Sequence, residues 1–190
     1  MGELHNSYVF WLYPQTDVEI TENGIKTADD ELIFADSVEK AKVLIASGKK
    51  AMVITDGSNA IENAYCADFW NYHMFRVISE SMNKPVAPGT MGLLIDKNDK
   101  LLSAFPCEKF TTPQWYEAVT HSKADILDDT PDVTPIVQVV DNTERCHRLG
   151  MLYKKNGILH CSIRLWEAAD VPEIKPVSYT HLRAHETDQY

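Results

Sequence analysis

Residues 32–55 constrain the chain more than any other stretch, because they spell strand, capped helix and buried strand in direct succession. Leu32-Ile-Phe-Ala35 is a short apolar run. Asp36 and Ser37 can both cap a helix N-terminus, and Glu39, three residues after Asp36, completes the capping-box spacing. Val38, Ala41, Leu44 and Ile45 then recur at helical spacing. Gly48 suits the residue just past a helix end, and Lys49 and Lys50 favour the negative end of the helix dipole. Ala51-Met-Val-Ile-Thr55 follows as a continuous apolar run, the pattern of a strand covered on both faces. Strand, helix and strand in that order make a βαβ unit, and such units build parallel sheets with helices on their faces.

The remaining segments are read around this unit. Tyr8-Val-Phe-Trp-Leu-Tyr13, closed by Pro14, has strand composition and is expected to lie centrally with Ala51–Thr55. Residues 15–30 are polar, with a turn at Asn23-Gly24. A helix is expected over 67–82, and another starts at Pro113 and runs through Trp115, Val119 and His121. Short strands are expected at 91–95, 124–127 and 135–140. Asn156-Gly157, between the apolar runs 149–153 and 158–163, is a strong hairpin signal. The expected fold class is α/β: an open, mostly parallel sheet flanked by helices, ending in a C-terminal β-hairpin.

Composition excludes several roles. The formal charge is −10, and the 18 basic residues form no patch or stripe, so neither nucleic acid nor an anionic membrane surface is an expected partner. No run of about 18 apolar residues could span a bilayer, and the N-terminus lacks the pattern of a signal peptide. The four cysteines (Cys66, Cys107, Cys146 and Cys161) are scattered, without the close pairs of a zinc site or a dinucleotide or phosphate-loop motif beside them. No cofactor or metal is expected.

From Val177 onward the sequence Val-Ser-Tyr-Thr-His-Leu-Arg-Ala-His-Glu-Thr continues no hydrophobic period and looks like translated sequencing adaptor. The expected organisation is therefore one α/β domain over 1–176, cut short at its C-terminus, and a non-native, unpacked tail over 177–190.

Several landmarks in order are similar to a domain found at the C-terminal end of glycoside hydrolase family 2 proteins of the β-galactosidase type. They are Tyr8–Pro14, Phe69-Trp70-Asn71, Gly89–Asp96, Ala104–Pro106, Gln114-Trp115, Ile136–Asp141 and Arg148–Gly150. The resemblance implies layers like those of class I glutamine amidotransferases or flavodoxin. It also implies a non-catalytic accessory role beside the upstream catalytic domains of a carbohydrate-degrading parent, in a periplasmic or secreted bacterial setting. Similar domains carry a His shortly before the Gln-Trp pair and further aromatics after it; here the segment is Phe110-Thr-Thr-Pro-Gln-Trp-Tyr116.

Retaining glycosidases need two carboxylates about 5 Å apart, and in the resembled proteins these lie in an upstream barrel. Two rival roles remain. A carbohydrate-binding module could stack sugar on Trp70, Trp115 or Tyr116. An amidotransferase-like enzyme would need a thiol nucleophile on a glycine-flanked turn, and no cysteine here has that setting. Asp141 and Asn142 end an expected strand, where open α/β sheets place ligands. Arg145 or Arg148 could pair with Asp141, which would make the group a loop clasp instead.

Overall fold

A computed structural model describes residues 6–13, 16–63, 77–78, 81–83, 90–103, 105–142 and 145–184. The helix expected over 67–82, with Cys66 and Trp70, falls largely outside the described residues.

The βαβ unit forms as its sequence requires. Strand β3 (Glu31–Ala35) leads into α1 (Val38–Ala46), and β4 (Lys50–Ile54) returns parallel to β3. Ser37 is the cap, its hydroxyl accepting from the Lys40 amide at 3.3 Å. Gly48 ends the helix at φ 80°, a conformation that costs a side-chain-bearing residue free energy.

Around this unit the sheet is mixed, not mostly parallel. Before it come β1 (Glu19–Thr21) and β2 (Gly24–Lys26). After it come β5 (Ala60–Glu62), β6 (Gly92–Ile95), β7 (Lys123–Ile126), β8 (Pro135–Val140), β9 (Arg148–Lys155) and β10 (Ile158–Cys161). These make one 10-stranded sheet, in which only β3–β4 and β4–β10 are parallel. The helices α1, α2 (Tyr116–Thr120) and α3 (Ile174–Ala184) are all short. The expectation of an open parallel sheet flanked by helices is thus corrected. An apolar run reports burial but not pairing direction, and hairpin connections between the later strands impose antiparallel ladders. Asn156 (φ 52°) and Gly157 (φ 75°) do turn β9 into β10 where the sequence places the hairpin.

Residues 8–13 form no strand. Tyr8, Val9, Phe10 and Leu12 are 75–95% exposed, Trp11 is partly buried, and Tyr13 packs on the core, stacked on Phe105 with ring centroids 6.1 Å apart. Strand propensity needs a neighbouring edge to become a strand. The edge near the start of the chain is instead supplied by the unforeseen β1–β2 hairpin. Gly24 lets β2 sit close on β3: a Cβ there would lie 2.2 Å from the Leu32 carbonyl oxygen.

Two layers bury the sheet. Leu32, Phe34, Met52, Leu152, Leu159 and Cys161 face the main core, which also holds Phe105, Trp115, Ile174, Val177 and Leu182. The other face carries Ala35, Ala51, Val53 and Ile158 beneath Ala41 of α1. The expectation of an unpacked tail from Val177 is therefore corrected as far as residue 182. Val177, Ser178, His181 and Leu182 are buried in α3, and Lys50 reaches the Leu182 carbonyl at 3.4 Å. A period-3.6 stripe of Ile174, Val177, Ser178, His181 and Leu182 was concealed by its two polar members.

Candidate functional site

Strand β9 is where the sheet forks. Strand β8 runs along its length, whereas β10 pairs with residues 152–155 and β7 with 149 and 150. Both of the latter share the edge opposite β8, so they must diverge where they meet. The carboxyl ends of the three parallel strands point to the same region: Asp36 follows β3, Thr55 and Asp56 follow β4, and Arg164 and Trp166 follow β10. Open sheets with parallel strands commonly hold ligands outside such ends.

Two adjoining hollows occupy this region, of about 340 and about 320 Å³, sharing Asp36, Ile54, Thr55 and Asp56. The second lies over the fork and is floored by Asp125 of β7, Tyr153 of β9 and His160 of β10. Its rim includes Ser58, Asn59, Thr130 and Lys155.

The floor depends on a missing side chain. Asp125 lies opposite Gly150 in the β7–β9 ladder. A Cβ on Gly150 would stand 2.7 Å from Leu127 Cδ1 and 3.1 Å from Tyr153 Cδ1. Because it is absent, the Tyr153 ring lies across β9 and its hydroxyl donates to Asp125 Oδ2 at 3.2 Å. The same ring stacks on His160, with centroids 5.0 Å apart and planes within 10°.

Burial dominates the acid–base character of the floor. It pushes the Asp125 carboxyl up to about 6; hydroxyls of Thr55 and Tyr153 oppose the shift and the Asp56 charge adds to it. Burial also drives His160 down to about 4, helped by Lys155, so the ring is neutral near pH 7. Tyr153 is raised by burial and by the neighbouring carboxylate. At the rim, Asp56 is held low by the Ser58 amide, which donates to Oδ1 at 2.8 Å. The floor can therefore accept and donate hydrogen bonds with little fixed charge beyond Asp125. Among the described residues no cluster of three or more His, Cys, Asp or Glu could hold a metal.

The residues singled out from sequence go elsewhere. Trp115 is 1% exposed and meets Phe105 edge-on at 5.1 Å, so neither face is open to a sugar. Tyr116 is half-exposed at the start of α2. Asp141, Asn142 and Arg145 do come together, as a clasp. Arg145 Nη2 donates to Asp141 Oδ1 at 2.6 Å, the Asn142 and His147 amides donate to the same carboxylate, and Asn142 Oδ1 accepts from the Arg145 amide. Burial opposes ionisation of Asp141, but these donors outweigh it and hold the carboxyl below the ordinary range. Arg148 turns away to the Thr130 carbonyl. Of the thiols, Cys161 is fully buried and pushed up to about 12, and burial raises Cys107 as well; both are poor nucleophiles.

Over residues 32–183 the sequence matches the family described as "Domain of unknown function (DUF8487)". The chain belongs to that family. The matched stretch contains the βαβ unit, the fork and the whole floor of the cleft, and it extends into α3. Its description carries no link to glycoside hydrolases. No curated protein matches the chain.

Asp125, Tyr153 and His160 were missed from sequence, although a signal was present. Asp125 interrupts Ala-Asp-Ile-Leu and His160 interrupts Ile-Leu-His-Cys, and a polar residue inside an otherwise apolar strand needs a partner or a purpose.

Proposed function

We propose that this chain is a non-catalytic accessory module of a carbohydrate-degrading protein of the β-galactosidase type, docking on the catalytic part of its parent. The observation that carries the reading is the N-terminal segment. Four large apolar side chains, Tyr8, Val9, Phe10 and Leu12, stand 75–95% exposed within five residues. Soluble surfaces seldom leave so dense an apolar stretch without a partner. Leu94 and Phe110, bridged to each other and both more than half exposed, add a second apolar spot beside β6. The ordered landmarks of the sequence supply the kind of parent; the layered amidotransferase-like fold that they also implied is not the one adopted.

The test is turnover of a panel of nitrophenyl glycosides together with binding of a hydrophobic dye. The chain should hydrolyse none of them and should bind the dye through residues 8–12. Turnover abolished by replacing a single Asp or Glu would overturn the accessory reading. A carbohydrate-binding role through Trp115 is disfavoured by that residue's burial, and a thiol nucleophile at Cys107 or Cys161 by the upward shift that burial gives both.

A further inference from the structure

We propose that the cleft over the β9 fork binds one neutral, hydroxyl-rich ring, a pyranose unit, with His160, Asp125 and the Asp56 rim as its hydrogen-bonding groups. The decisive residue is His160. It is 6% exposed, it lines the hollow, and its only described partner is the face of Tyr153. Among the described residues its ring nitrogens meet no hydrogen-bonding group. Those nitrogens stand at the wall of the hollow and are open to whatever occupies it, so an occupant carrying hydroxyls can bond to them directly.

Three features select the chemistry of that occupant. Asp36, Asp56 and Asp125 would all repel an anion. Asp36 is already paired with Lys40, and Lys155 also faces the hollow, so a cation entering it meets an ammonium. A hydroxyl suits the mixture best. It donates to a carboxylate or to the unprotonated imidazole nitrogen, accepts from the other ring N–H, and brings no charge to desolvate. Vicinal hydroxyls match donors and acceptors on adjacent strands, and about 320 Å³ lies at the lower end of small-ligand sites, suited to a single ring.

This inference goes beyond the docking role, which needs no sugar contact. The full chain is titrated at pH 7 with methyl β-D-glucopyranoside and methyl β-D-galactopyranoside, with glucosamine and glucuronate as charged comparisons. The side-chain resonances of His160 are followed by NMR. At least one neutral glycoside should move them saturably and glucuronate should not. Asp56→Asn and Thr130→Val, both in the lining of the hollow, should each weaken binding about tenfold. No movement with either neutral glycoside up to about 50 mM, well above the millimolar range of weak sites, would overturn the proposal. So would movement by glucosamine alone, which marks a cation site, or binding indifferent to both variants, which places the sugar elsewhere. None of these outcomes alters dye binding or turnover, on which the docking role is judged.

Discussion

Asp125 and His160 sit in one hydrogen-bonding floor, yet burial moves their protonation in opposite senses. Asp125 has a folded value of about 6 against an ordinary 3.8, so the folded chain binds the extra proton and stability falls as pH rises between those values. His160 has a folded value of about 4 against an ordinary 6.5, so the unfolded chain binds the extra proton and stability rises over nearly the same interval. The two slopes largely cancel in the native protein. We expect Asp125→Asn to unmask the histidine, giving stability that climbs between pH 4 and 6.5. His160→Gln should unmask the aspartate, with stability that declines between pH 4 and 6. Each swing should be on the order of 2 kcal/mol after solvent screening, measured by urea denaturation at several pH values. Parallel profiles for both variants would show that the shifts are not what the burial implies. Gly150 is the second residue-scale test. Gly150→Ala puts a methyl group against the tip of Leu127 and the edge of the Tyr153 ring, so both must shift, and that ring covers Asp125. A loss of about 1–3 kcal/mol is expected. The Asp125 titration should shift as well, which a purely local clash would not cause.

Among the elements, those encoded locally could be read in advance and those encoded by partners could not. The helix α1 carries its own cap and its own glycine stop, and the β9–β10 turn carries Asn156-Gly157, so each is specified within a few residues. The run Tyr8–Tyr13 has the composition of a strand but no edge to join, and it stays unpaired. Likewise the direction of the sheet depends on which strand lies beside which, and no residue type records that. The floor of the cleft was half legible: Asp125 and His160 stood out in apolar strands, but only the register across Gly150 brings Tyr153 to Asp125. Helix α3 gives this scale its test. Val177 and Leu182 are each 1% exposed in the main core, and burying such side chains contributes about 1.5–3 kcal/mol apiece. Removing residues 177–190 should therefore lower the thermal midpoint by on the order of 10 °C for a chain of this size. An unchanged midpoint would mean that α3 adds nothing to the core it touches.

At the scale of the whole molecule, one continuous sheet separates the two surfaces to which function is assigned. The cleft lies where β10 and β7 part, on the face carrying α1, and its floor is built from strands. The apolar segment 8–12 hangs from Tyr13, which packs on Phe105 in the core of the opposite face. Changes to one should therefore leave the other intact, since sites that share no partners act nearly additively. The double substitution Phe10→Ser with Leu12→Ser makes this measurable. Both side chains are more than 80% exposed, so their loss removes almost no buried area, and the thermal midpoint should stay within about 1 °C. Dye binding should fall several-fold, because those side chains form the densest exposed apolar stretch among the described residues. Any concentration-dependent self-association seen by sedimentation should fall with it, the net charge of −10 already opposing contact between copies. The His160 resonances should not move. A fall in the midpoint of several degrees would show that residues 8–12 pack against the domain, and the docking surface would then have to be sought at Leu94 and Phe110.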